Sequence, residues 1–195
     1  MNATAGTPST RDRILDIAQR LIQSRGYNAF SFNDLAKELK LRTASVHYHF
    51  PTKADLGVAL VRRYRGQLHH ELDWIAKSGV DPLGSLEQFI AMFDRTFRSS
   101  NALCLSCVLS AEAPSLPKPV AAEVTRFFHD AELSLAKIFA AGKRARVMAF
   151  KGSPRTQARM LMAMIQGAML VARGLRHRSY FRDMTRGYLG KYAVG

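Results

Sequence analysis

Apolar residues return at the three- and four-residue intervals of an α-helix along most of this chain. No stretch alternates apolar and polar positions as a half-buried strand would, and none repeats itself. The expectation is an all-α fold. Ile14, Leu15, Ile17, Ala18, Leu21 and Ile22 keep helical spacing behind Thr10 as N-cap, and Gly26 supplies the stop, which predicts a first helix over about 10–25. Ser31 caps a short second helix over 32–39 with Phe32, Leu35, Ala36 and Leu39 on one side. Lys40-Leu41 turns into a third over about 42–49, which Pro51 ends. Thr52 with Asp55 three residues later reads as a variant capping box for a long fourth helix through Leu56, Leu60, Val61, Tyr64, Leu68, Leu72 and Ile75.

Beyond Gly79 and Asp81-Pro82 the pattern resumes over about 82–99, with Phe89, Phe93 and Phe97 at i+4. Asn101 is expected to open a short apolar helix that the Pro114, Pro117, Pro119 cluster closes. A helix over about 118–142 buries Val124, Phe127, Phe128, Ala131, Leu135, Ile138 and Phe139. Gly152-Ser153-Pro154 starts another to about 174, and a last one runs over about 179–192. About nine helices fit this punctuation. The helix over about 154–173 is apolar on nearly every side and must be covered by more than one neighbour.

The chain has 195 residues, 47% apolar and 23% charged, the composition of an ordinary folded protein. Neither disulfides nor metal are needed as staples at this length. Two cysteines are too few for a disulfide framework, and residues 1–10 lack the basic start and apolar run of a signal peptide, so the expected location is the cytoplasm. The longest uncharged stretches, 99–111 and 160–172, are 13 residues each, short of the roughly 20 that cross a bilayer, and no membrane partner is expected. Net charge is +14, split as +6 over residues 1–66, −3 over 67–140 and +11 over 141–195. An excess of this size argues for a polyanionic partner.

Three short helices, the second and third joined by a tight turn, together with a positive balance, make a helix-turn-helix over the N-terminal segment. In that motif the third helix lies in the major groove of double-stranded DNA. Arg42, Thr43 and Ser45 occupy its reading end. His47, Tyr48, His49 and Lys53 are spaced to meet phosphates while Val46 and Phe50 pack inward. The competing reading of His47, Tyr48 and His49 is a solvated helix face, and Arg62, Arg63 and Arg65 also fit an exposed face better than a DNA contact.

The run from Ser31-Phe32-Asn33-Asp34-Leu35-Ala36 to Thr43-Ala44-Ser45-Val46-His47-Tyr48-His49-Phe50-Pro51-Thr52-Lys53-Ala54-Asp55-Leu56 resembles the signature of the TetR family of bacterial one-component repressors. The resemblance covers residues 10–60. It implies an N-terminal DNA-binding domain over 1–53 and a helical domain over 54–195 that binds a small-molecule effector and forms a homodimer, with repression relieved by the effector. It also implies that Ser31 caps the second helix and reaches a phosphate, with Asn33 beside it. Two positions depart from the family's pattern. Lys40 stands where the turn usually has Gly, which puts a non-glycine residue at positive φ, and Arg42 replaces a small polar residue at the start of the recognition helix. A guanidinium there suits a guanine through a bidentate contact.

The C-terminal part has no covering motif. Phe89, Phe93 and Phe97, with Trp74, Phe127, Phe128 and Phe139, supply more aromatic surface than one small core needs. Trp74, Phe89, Phe93, Phe127 and Phe128 are the candidate ligand residues, with plain core packing as the alternative; Met92 is as ambiguous as Trp74. Cys104 and Cys107 stand at i, i+3 and join that candidate set. They read as small packing or pocket residues, as a redox or electrophile sensor, or as half of a zinc site that His69, His70 and His129 would have to complete. Some branches of the family resemble this chain in such a cysteine-containing segment. In the family the last two helices form a four-helix bundle with the partner's pair, and Ala163, Gly167 and Val171 offer a close-approach strip for it. The basic connector Arg173, Arg176, Arg178 is expected on the side of the DNA-binding domain. No Gly-rich phosphate loop, metal triad or nucleophile–His spacing marks an enzyme, and no cofactor is expected. An architectural DNA-binding dimer without an effector is the alternative function.

Overall fold

Capping side chains mark the start of several helices. In the computed structural model, which describes residues 8–100 and 102–192, nine α-helices and one 3-10 turn form, and no strand element occurs among the described residues. The helices are α1 (Thr10–Arg25), α2 (Phe32–Leu39), α3 (Thr43–His49), α4 (Lys53–Lys77), α5 (Pro82–Ser100), α6 (Leu105–Ala111), α7 (Lys118–Arg144), α8 (Pro154–Gly174) and α9 (Tyr180–Leu189). Ser31 with Asp34, and Thr52 with Asp55, close reciprocal capping boxes at α2 and α4. Ser9 rather than Thr10 caps α1, its Oγ accepting the Asp12 N–H at 3.1 Å.

Three helices end on a left-handed residue, and each of these residues is cationic instead of glycine: Lys40 (φ 55°), Arg146 (φ 58°) and Arg176 (φ 52°). The following residue closes a six-to-one bond each time, Leu41 N–H to Ala36 O, Val147 N–H to Gly142 O and His177 N–H to Ala172 O. The left-handed conformation costs about 1 kcal/mol per non-glycine residue. A positive side chain at a helix C-terminus recovers part of that through the helix dipole.

Two apolar cores result. The first collects Ile14, Leu15 and Ile22 of α1, Leu35 of α2, Val46 of α3 and Leu56, Leu60 and Val61 from the first half of α4. Leu105 and Leu109 of α6 and Val120 and Val124 of α7 close it from the other side. The second core holds Leu68 and Ile75 from the rest of α4 with Phe89, Phe93, Phe127, Leu135, Phe139, Leu161 and Ile165. α4 therefore belongs to both cores as one unbroken helix.

Two ends differ from expectation. Asn101 lies outside the described residues, and α6 begins at Leu105 with Cys104 as its uncapped N-cap. The reason is tertiary: the Gln23 side-chain amide donates to Leu103 O at 2.7 Å, holding that backbone out of the helix. α9 stops at Leu189 because Tyr192 leaves the helix to pack on Phe139 and Phe150 and to donate its hydroxyl to Gln157. α8 buries Leu161, Ile165, Ala168 and Ala172, while Met160, Leu170 and Val171 remain exposed on one strip of the single chain.

Candidate nucleic-acid interface and ligand cavity

α2 and α3 are locked by side chains that also line the surface they share. Asn33 Oδ1 accepts the Thr43 hydroxyl at 2.8 Å, so the start of α3 is pinned to the start of α2. Ser31 Oγ is engaged in its cap. It accepts the Asp34 N–H and donates to the Asp34 carboxylate at 2.7 Å, and these Ser31 hydrogen bonds hold the Asp34 carboxyl below its usual range. Arg42 occupies the N-cap of α3 with no capping hydrogen bond and lies exposed. Ser45 is half-buried on the same helix. Val46 and Phe50 are buried beneath it, as their spacing predicts.

Tyr48 is 85% exposed, an unusual position for a large aromatic residue, and its ring meets that of His49 edge to face at 5.2 Å. His47 stands on Phe32, with Nδ1 3.2 Å from Pro51 O. Arg42, Thr43, Ser45, His47, Tyr48 and His49 therefore share one helix whose buried side is anchored. Lys53 is set apart from them. Its Nζ donates to Phe30 O at 2.5 Å and sits over the rings of Tyr27 and Phe30, and burial pulls its pKa below the ordinary lysine value.

The arginines that follow are struts. Arg62 and Arg65 of α4 reach the buried Glu123 of α7 at 2.8 and 3.1 Å, joined by Arg126 at 2.6 Å, and Arg63 pairs with Asp16 of α1 at 2.8 Å. Burial alone would raise the Glu123 pKa, but the Arg62 hydrogen bond and the arginine charges hold it below the usual range. At the other end of the chain Arg173 donates to Gln23 O at 3.1 Å and to Ser24 O at 3.4 Å, which sets the α8–α9 connector beside α1.

A cavity of about 300 Å³ lies between α4, α5 and α7. Its apolar wall is Tyr64, Leu68, Met92, Phe93 and Phe127, and its polar side includes Gln67, His70 and the Glu71–Arg95 ion pair at 2.8 Å. Of the candidate ligand residues, Phe93 and Phe127 line this cavity. Phe89 is fully buried behind Phe93, and Phe128 packs edge to face on Phe127. Trp74 is 55% exposed on α4 and lies outside it. Met92, which the sequence leaves as ambiguous as Trp74, lines the cavity. Tyr64 and Arg95 escaped the sequence reading: Tyr64 shares the spacing of core residues, and nothing in the local pattern distinguishes Arg95.

Cys104 and Cys107 are free thiols outside the lining. Burial pushes Cys104 up to about 11 and raises Cys107, while the buried hydroxyl of Tyr64 leans on Cys104. That is opposite to the activation of a reactive thiolate. Among the described residues no three His, Cys, Asp or Glu side chains gather to hold a metal ion, and no helix is long and apolar enough to cross a membrane.

Residues 14–60 match the family model for bacterial regulatory proteins of the tetR family. A TetR-family transcriptional regulator from Agrobacterium tumefaciens is 32% identical, with 94% of this chain and 97% of that one aligned at a TM-score of 0.91. A TetR transcriptional regulator from Legionella pneumophila is 28% identical over 95% of this chain and 98% of its own, at a TM-score of 0.88. The transcriptional repressor NemR of Escherichia coli (strain K12) is 24% identical over 169 residues, 84% of each chain.

Proposed function

The chain belongs to the TetR family of transcriptional regulators, and on that premise we propose that it binds a near-palindromic operator as a homodimer and releases it when a small molecule fills the cavity between α4, α5 and α7. The observation that carries the reading is the placement of α3. Its first turn is pinned by the Asn33–Thr43 bond, its inner face is buried, and Arg42, His47 and Tyr48 stand exposed with His49 half-buried beside them. Arg42, Thr43 and Ser45 meet base edges. Ser31, Asn33, His47, Tyr48 and His49 meet backbone phosphates, and Lys53 joins them with the two N–H groups of its ammonium that Phe30 O does not use.

Two recognition helices must sit about 34 Å apart to enter successive major grooves on one face of the duplex. A two-fold pairing through the exposed strip of α8 supplies that geometry. The connector carrying Arg176 and Arg178, set beside α1 by Arg173, adds positive field over the operator flanks.

An apolar guest against Phe93, Phe127 and Tyr64 displaces α4, and the first half of that helix lies in the core of the reading head. It must favour the non-binding arrangement by its differential affinity, typically 1–3 kcal/mol of coupling. The cavity favours this reading over an architectural protein with no effector. The test is footprinting of the purified protein on promoter fragments, with sedimentation to give subunit number. Protection of one palindromic site by a dimer, lost on addition of apolar compounds that protect Phe93→Trp fluorescence from quenching, is expected. A monomer that grips every duplex equally would refute it.

A further inference from the structure

We propose that a second cleft, where α1, α4 and α8 meet, binds a small phosphate-bearing anion. The cleft measures about 360 Å³ and is separate from the effector cavity. One arginine of each helix lines it, Arg20 of α1, Arg63 of α4 and Arg173 of α8, with Asp16 as the one carboxylate in its wall. Arg20 also pairs with Glu38 of α2, so the cleft keeps a net positive charge even with that residue counted.

Its hydrogen-bond donors are under-used. Arg63 holds Asp16 at 2.8 Å, but its contacts with Gln19 and Asp12 O stretch to 3.4 Å, and its Nε is buried with no acceptor. Arg173 spends its two terminal nitrogens on the carbonyl oxygens of Gln23 and Ser24, and such bonds leave further N–H groups of the guanidinium for another acceptor. Three arginines around one cleft suit a tetrahedral oxyanion, whose oxygen edges each accept a bidentate contact.

The position gives such an anion a regulatory consequence. It would tie the reading head, α4 and α8 together at one point. Gln67 forms part of the wall of this cleft and of the effector cavity, so occupancy of one is felt by the other, and the coupling is reciprocal. The anion site itself stands whether or not the operator reading holds, and its regulatory consequence rests on that reading.

The experiment is a calorimetric titration of the full-length protein with inorganic pyrophosphate and with inorganic phosphate at fixed ionic strength. One saturable site per chain is expected. Arg20→Gln and Arg173→Gln should each weaken it by about tenfold. Arg126→Gln, whose guanidinium lies on Glu123 outside the cleft, should leave it unchanged. Because Arg173 also braces α1, Arg20→Gln alone suffices if the other variant does not fold. Absence of saturable heat, or equal weakening by Arg126→Gln, overturns the proposal. The remaining source of phosphate is the DNA backbone, and the salt dependence of duplex binding decides it. An unchanged slope in Arg20→Gln supports a free anion, and a slope smaller by about one assigns the cleft to DNA and overturns it.

Discussion

Glu112 at the C-terminal end of α6 accepts the backbone N–H of Tyr27 at 2.6 Å. Its other oxygen takes the backbone and side-chain amides of Asn28 at 3.0 and 2.6 Å. The helix that carries Cys107 is thereby fastened to the turn between α1 and α2. Gly26 makes room for this: at φ +94° it occupies a conformation that suits glycine, and a Cβ there would lie 2.3 Å from Glu112 Oε1. α6 is thus a second connection from the body to the reading head, beside α4.

Glu112→Ala should cost about 1 kcal/mol of folding stability, because the half-buried N–H of Tyr27 loses its acceptor while the two Asn28 donors turn to water. Glu112→Gln keeps one acceptor oxygen and should lose less. Urea denaturation followed by circular dichroism measures both, and an unshifted midpoint for Glu112→Ala would show that the fastening carries no energy.

Thr43→Val keeps the β-branched shape at the start of α3 but deletes the hydroxyl that Asn33 accepts. With the pin gone, operator affinity should fall by about tenfold, in the range of one lost hydrogen bond and its effect on positioning. Arg42→Ala should instead cost about 1–3 kcal/mol at one base position and relax preference there, if its guanidinium reads an edge. Titration of labelled duplexes carrying single base changes separates the two outcomes: uniform weakening for Thr43→Val, a position-specific change for Arg42→Ala.

Cys104 gives the stability a defined alkaline slope. The buried thiol holds its proton to about 11, whereas an exposed thiol loses it near 9, so between these values the folded state binds more protons than the unfolded chain. Its contribution is whole below that window and is lost as pH rises through it, on the order of 2–3 kcal/mol for a fully buried group. Tyr27, raised to about 12 by burial, begins the same loss at higher pH. The stability difference between the parent and Cys104→Ala, measured in urea at successive pH values from 8 to 10.5, should narrow steadily. A constant difference would refute the buried-thiol assignment. At pH 7 both thiols should alkylate slowly with iodoacetamide until denaturant is added.

What could be read in advance was local. Ser31 with Asp34 and Thr52 with Asp55 announce helix starts because the cap is built from residues three apart. The positive φ of Lys40 is implied by the resemblance to the family, whose turn has Gly at that place. The inward Val46 and Phe50 follow from spacing alone. What escaped depends on partners distant in sequence. Gln23 decides where α6 begins and Glu112 fastens the α1–α2 turn, and neither leaves a periodic trace. Arg173 stands on the side that the resemblance implies, but its carbonyl partners on α1 could not be read from the sequence. Trp74 and Phe93 look alike as aromatic positions on apolar helices. Only the packing of α5 and α7 on α4 decides that one lines a cavity and the other meets solvent.

The exposed strip on α8 yields the last prediction. Met160, Leu170 and Val171 are open in the single chain, and a Cβ built on Gly167 or Gly174 meets nothing within 4 Å, so the strip is both apolar and low enough for another helix to approach closely. Large apolar side chains left in water on one face mark a surface that a partner covers. If that partner is a second copy, a residue near the two-fold axis faces its own equivalent, and one substitution is counted twice. Val171→Glu then places two carboxylates together in an apolar contact and should convert the dimer to monomers, while Arg159→Glu, at the Glu132 ion pair on the same helix, should not. Sedimentation velocity reads the subunit number. Binding to a two-half-site duplex should fall with it, whereas binding to a single half-site should keep the weak affinity of one reading head. A Val171→Glu protein that remains dimeric would place the interface elsewhere.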